Sequence, residues 1–409
     1  MDVLVNKLAK LAVKIGANVQ KDQIVVVRTN VESKELAREI VKEAYIAGAK
    51  KVIIDWSDEY ASKYGYTYMD EATLKEVPQY VIDKTKYTVD KNACFISISS
   101  PMPGLFESVD PMKLQIAGRA SQEKLGFFRE HLMGNQAQWT IVSAANQVWA
   151  NKVFPNLNDE DALKALWSAI FQASRVTYEN DIIKEWADHN KALKTHSDLL
   201  NDYNFKQLHF KNSLGTDLVV GLVKDHIWVG GGETAANGVY FNPNIPTEET
   251  FTMPDKYITS GKVVATKPLN YNGKLIEDFY LEFKDGKVIN YDAKKEKETL
   301  KNILTFDENA SYIGEIALIS YDSPINNTNI LFYNTLFDEN ASCHMALGRA
   351  YPMNIKNGIG ADVKDLEKRG YNNSMVHVDF MFGSPCLEIT GLTYDGKEVK
   401  VFEKGNFVI

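Results

Sequence analysis

The chain has 409 residues, too many for one ordinary hydrophobic core, so two domains are expected. Hydrophobic residues make up 44% and charged residues 24%, the balance of a folded globular protein rather than a disordered or fibrous one. A net charge of −8 argues against a nucleic-acid partner, and no run approaches the roughly 20 apolar residues that span a bilayer.

The elements follow in chain order. Leu4, Leu8, Leu11 and Ile15 recur at helical spacing and predict an amphipathic helix over 3–16, with no basic start or apolar signal core before it. Ile24-Val25-Val26-Val27 is a β-branched run of the kind buried on both faces of a parallel sheet. A second helical period over 32–48 stops at Gly48, and Val52-Ile53-Ile54, Phe95-Ile96-Ser97-Ile98 and Thr140-Ile141-Val142 read as further strands. Long helices are expected over 111–130 and 159–175. This rhythm predicts an N-terminal α/β domain, residues 1–195, with a mostly parallel, Rossmann-like sheet. The turn after the first strand, Arg28-Thr29-Asn30-Val31-Glu32-Ser33, has no glycine to let a pyrophosphate approach, so no dinucleotide site is expected.

A polar helical stretch over 178–204 joins the halves, and then the pattern changes. Asp285-Gly286 and Asp395-Gly396 each lie between alternating runs, a hairpin signal because both residues tolerate positive φ. Residues 196–409 are therefore expected to form an α+β domain with a largely antiparallel sheet. Cys94, Cys343 and Cys386 are too few and too scattered for a disulfide framework or a zinc knuckle, and a cytoplasmic location is expected.

Four segments of the second half offer metal donors. In Met375-Val376-His377-Val378-Asp379-Phe380-Met381 a period of two puts His377 and Asp379 on one face, although a lone His-x-Asp is ordinarily a polar strand edge. Glu315 sits in the apolar run 312–319, where a carboxylate is costly to bury unless paired or bound to a cation. Glu248 and Glu249 follow Pro246-Thr247, and read alone they are first-turn acids behind a helix cap. His344 follows Asp338-Glu339-Asn340, read as the start of a short helix. Tyr351 falls on the same face of that helix unless Pro352 holds it extended. His131, His189, His196, His209 and His226 have no acids clustered about them in sequence. Mixed carboxylates and imidazoles suit zinc, cobalt or manganese.

Together, Asn244–Asp255, Leu336–His344 and Val376–Pro385, with the segment 267–273, closely resemble the family of aminopeptidase T, aminopeptidase S and PepS over essentially the whole chain. The resemblance implies that Glu249, Glu315, His344, Tyr351, His377 and Asp379 hold two divalent ions, zinc or cobalt, in a homodimer acting on peptides with a free N-terminus. It implies a two-metal hydrolysis, with Glu315 expected as the bridging carboxylate, Glu248 as a candidate general base and Tyr351 as ligand or oxyanion donor. The rival expectations are another binuclear hydrolase, an amidase or phosphoesterase, and a catalytically weak peptide- or metal-binding protein.

Overall fold

The computed structural model describes residues 2–271 and 273–409, so Asn272, within the segment 267–273, lies outside the described residues. The chain divides into two compact units. One runs through Ala187 and also takes in Gly232–Pro246; the other comprises Asp188–Gly231 and Thr247–Ile409. Among the described residues no helix is long and apolar enough to cross a membrane.

The first unit is built on four parallel strands in the order Lys51–Ser57, Ile24–Asn30, Cys94–Ser99, Trp139–Ser143. Val25, Val26 and Val27 are all buried, as a strand covered on both faces requires. The first helix is α-helical over Asp2–Leu11 and closes with a π-turn at Ala12–Gly16. Long helices run over Pro111–Met133 and Asp159–Ala173, as their spacing predicts. The helices Glu59–Tyr68 and Gln79–Asp90 carry no readable period for a physical reason. The former buries no residue and the latter only Thr88, so neither shows an apolar stripe.

The second unit holds two antiparallel sheets. The larger includes the hairpin Lys274–Lys284 and Lys287–Lys295, turned by Asp285 and Gly286 at φ 50° and 81°. The smaller runs His377–Met381, His344–Gly348, Ile313–Leu318, Thr250–Thr252, Val229–Gly230. Ile316, Leu318, Met345, Leu347, Val378 and Phe380 from one face of this smaller sheet join Leu208, Phe210, Val220, Phe279 and Leu281 of the larger one in a single core. The alternation of the strand therefore leaves the other face of the smaller sheet free for chemistry.

Two helical readings are corrected. Thr247, Glu248 and Glu249 do not open a helix; they lead into the strand Thr250–Thr252. The helical turns near His344 lie upstream, at Thr335–Asp338 and Glu339–Ala341, where Asn334 caps by accepting from Leu336 N–H. His344 itself begins a strand, and Tyr351 is extended at φ −104°, ψ 127°, the region Pro352 imposes on its predecessor.

Candidate metal centre

Strand register assembles the centre. Glu315 pairs with Ala346, and Ala346 pairs with Asp379, so these three form one row across the sheet. His344 pairs with Ala317 and with Met381 in the next row, and His377 pairs with Gly348 on the other side. Directly paired residues share a face, so Glu315, His344, His377 and Asp379 all project from the side opposite the core. Between them in these three strands stand Ala317, Ala346 and Gly348. Phe251 pairs with Ala317 on this same face. Counting back along the extended chain puts Glu249 with Phe251, and Glu248 with Thr250 on the other side.

The donor atoms converge. His344 Nε2 lies 3.3 Å from Glu249 Oε2 and 3.4 Å from Glu315 Oε1. His377 Nε2 lies 3.5 Å from Glu315 Oε2 and 3.2 Å from Asp379 Oδ1. Two donor groups result, Glu249-Glu315-His344 and Glu315-His377-Asp379, with atoms of each group within 4.8 Å of one another. Glu315 belongs to both, one oxygen turned to each imidazole. Tyr351 stands over the second group, its ring 4.9 Å from that of His377 and 6.2 Å from that of Phe251.

The hydrogen bonds show what this cluster lacks. His344 Nδ1 lies 2.8 Å from the carbonyl of Glu339, and His377 Nδ1 lies 2.7 Å from that of Arg349. Each ring therefore donates through Nδ1, and a neutral ring turns a bare Nε2 lone pair towards carboxylate oxygens. Lone pairs facing lone pairs repel unless a cation or a proton stands between them. Asp379 Oδ1, the oxygen that faces His377 Nε2, is buried without a hydrogen-bond partner. The residues fit divalent metal.

Charge balance says the same. Burial opposes a charged His344, yet Glu249 and Glu315 outweigh it and hold the ring protonated well above the ordinary imidazole range. Burial likewise opposes charge on His377, and Asp379 and Glu315 overcome it, raising that ring to about 10. Glu315 is pushed up by burial, only partly relieved by His344 and His377. Burial also raises Asp379, but His377 more than offsets it and leaves that carboxyl below its usual range. A cluster that retains protons so strongly is short of positive charge.

Sequence reasoning missed two neighbours. Glu339, read only as a cap-like acid, stands near the cluster. Its carboxyl is pushed well above the ordinary range by burial and by Asp379 and Glu249. The signal available was its position five residues before His344, in a turn that already supplies a carbonyl to that ring. His189 is also not alone: its Nε2 lies 2.7 Å from the Thr247 carbonyl and 4.0 Å from Glu248 Oε2. The structure thus brings Glu249, Glu315, His344, Tyr351, His377 and Asp379 together and turns Glu248 towards His189. No local pattern links residue 189 to residue 248.

A buried set of carboxylates and imidazoles on one open sheet face, short of cations, is a candidate centre for metal-dependent chemistry. The chain matches the family described as thermophilic metalloprotease (M29) over residues 1–407 and belongs to it. It is 43% identical over 402 residues to Aminopeptidase 2 of Geobacillus stearothermophilus, covering 98% of this chain and 97% of that protein. Identity to Aminopeptidase AmpS of Bacillus subtilis (strain 168) is 40% over 402 residues, covering 98% of both. The solved structure of wild-type AmpT from Thermus thermophilus matches with a TM-score of 0.93 at 36% identity, covering 99% of each chain. The resemblance carried by the sequence motifs is thereby established, and the chain is a metallo-exopeptidase.

Proposed function

We propose that this chain removes N-terminal residues from peptides by a two-metal, activated-water hydrolysis, with residues 196–409 as its catalytic domain. One observation carries the reading: Glu315 directs its two oxygens at two different imidazoles and belongs to both donor groups. Glu249, Glu315 and His344 would hold one cation, and Glu315, His377 and Asp379 the other. Two divalent cations held there would polarise the scissile carbonyl and make a shared water easier to deprotonate.

The protein's own groups do the rest. The carbonyls of Glu339 and Arg349 fix the imidazoles with Nε2 inward and set their tautomers. Glu339 is the carboxylate we place first as proton carrier from water to the leaving amine, with Glu248 as the alternative. Tyr351 offers its hydroxyl either as a further ligand or as a donor to the oxyanion. The mixed nitrogen and oxygen donors suit zinc or cobalt, with manganese third. A homodimer working in the cytoplasm completes the reading; sedimentation of the purified chain tests the dimer.

The primary test uses chelated protein before and after adding zinc, cobalt or manganese, assayed on unblocked and N-acetylated aminoacyl anilides. Metal-restored cleavage of the unblocked series alone is expected, with two metal ions bound per chain. Tight metal binding with no turnover of any anilide would refute the proposal.

A further inference from the structure

Four of the five residues in the two donor groups stand inside strands, where ladder hydrogen bonds fix them: Glu315, His344, His377 and Asp379. Glu249 does not. Its strand opens at Thr250, which pairs with Leu318 and Gly230, and Glu249 lies one residue ahead of that ladder. Something besides strand pairing must aim its carboxylate at His344 Nε2, 3.3 Å away.

The peptide unit between Thr247 and Glu248 does this. Its carbonyl lies 2.7 Å from His189 Nε2, which carries a proton there because a carbonyl only accepts. Its N–H donates to Asn340 Oδ1 at 2.8 Å. Two buried side chains therefore grip opposite ends of one peptide plane. Turning that plane would redirect the residue that follows Glu248, so holding it holds Glu249.

Asn340 makes a second bond that couples this grip to His344. Its Nδ2 donates to the Leu336 carbonyl at 3.0 Å, and the two partners together fix which way the amide points. The turn Glu339–Ala341, to which Asn340 belongs, also presents the Glu339 carbonyl to His344 Nδ1 at 2.8 Å. One turn thus sets the His344 ring through residue 339 and the approach to Glu249 through residue 340. Asn340 has no exposed surface, and an amide is costly to bury unless both its ends are bonded, as they are here.

Resting on the reading of Glu249, Glu315 and His344 as one cation's donors, we propose that Asn340 and His189 are positioning residues. They clamp the Thr247–Glu248 peptide and set Glu249 against His344. The group Glu315-His377-Asp379 is fixed by the sheet and does not depend on them.

The test measures zinc affinity of metal-stripped protein, by competition with a chromogenic chelator, in Asn340→Leu, Glu249→Gln and the double variant. Asn340→Leu removes both bonds at nearly constant volume. It should weaken zinc binding by roughly 10–100-fold, the usual loss when a group that orients a ligand is removed. In the Glu249→Gln background the same change should alter affinity by no more than about twofold, because the clamp then has no carboxylate to aim. Asn340→Asp keeps the acceptor for the Glu248 N–H and should recover part of the loss. His189→Phe deletes the donor to Thr247 while keeping a ring. It should weaken zinc in the same direction, which keeps the test decisive if Asn340→Leu folds poorly. Equal losses from Asn340→Leu with and without the Glu249 carboxylate would show a general structural effect and overturn the proposal. So would unchanged affinity in both Asn340→Leu and His189→Phe. Intact zinc affinity in Glu249→Gln alone would instead remove the donor reading on which the proposal rests.

Discussion

Cation uptake by the metal-free protein should expel protons, and His344 and His377 set the number. Both rings donate Nδ1–H to a backbone carbonyl and point Nε2 at carboxylates, so the proton held on Nε2 occupies the position a cation needs. His377 titrates at about 10, against about 6.5 for a free imidazole. Each unit between ambient pH and that value costs about 1.4 kcal/mol, so at about pH 7 the displacement takes roughly 4 kcal/mol, or ~1,000-fold in apparent affinity. His344 is pushed the same way by Glu249 and Glu315 and adds a second proton. Apparent affinity for cations should therefore rise by about one log unit per pH unit from about pH 7 to 9 on account of His377, and more steeply wherever His344 is protonated as well. Titration calorimetry in buffers of different ionisation heat should count at least one proton released per chain. Tight uptake without proton release, at an affinity indifferent to pH, would show that the Nε2 atoms take no part. The same shift has a consequence for stability. A ring whose folded pKa is raised lends stability that is complete below its unfolded value of about 6.5 and is lost as pH climbs through about 10. Glu315 and Glu339, raised by burial, act with the same sign. Metal-free protein should therefore melt lower at about pH 9 than at about pH 6, and metal should abolish most of the difference.

Glu315→Gln keeps the shape but leaves one amide oxygen to serve both donor groups, so the amount of metal bound should fall. The loss in kcat/KM should exceed the roughly 10–100-fold typical of residues that merely support ligands; metal analysis alongside kinetics checks both. Tyr351→Phe separates the two roles of that phenol. Loss of a metal ion marks a ligand, whereas full metal content with kcat down by about 10²–10³ marks an oxyanion donor. Ala346→Val adds bulk between Glu315 and Asp379 at a fully buried strand position. It should cost roughly 1–3 kcal/mol in thermal or denaturant unfolding, keep the circular dichroism of the fold, and abolish metal binding. Normal metal stoichiometry in that variant would contradict the row geometry.

Much of the fold was legible because burial leaves a period behind it. The run Ile24–Val27 announces a strand covered on both faces, and Asp285-Gly286 announces a hairpin because both residues take positive φ there. The helices Glu59–Tyr68 and Gln79–Asp90 left no such trace, since they bury almost nothing. The helical reading at His344 failed for another reason. Acidic, cap-like residues do sit upstream, but the turns they serve end at Ala341, and the chain then enters a sheet whose neighbours are more than 20 residues away in sequence. Only tertiary pairing decides that outcome.

The site was legible through residues that carry charge, and less so through those that do not. Glu315 stood out because an isolated carboxylate in an apolar strand demands a partner, and His377 and Asp379 because a period of two puts them on one face. The preference for Glu249 over Glu248 had to come from family likeness, yet its cause is simple alternation from Phe251. What no sequence pattern announces is the space. Ala317, Ala346 and Gly348 occupy the positions between the donors, and a larger side chain in the central row would stand where the carboxylates of Glu315 and Asp379 face each other. Gly348 has φ 96°, a conformation that side-chain-bearing residues avoid, so its row cannot readily be filled. Small residues in a strand ordinarily weaken it. Here they lie on the one face that the core does not need, which is why the sheet can tolerate them and the donor atoms of both groups can converge there.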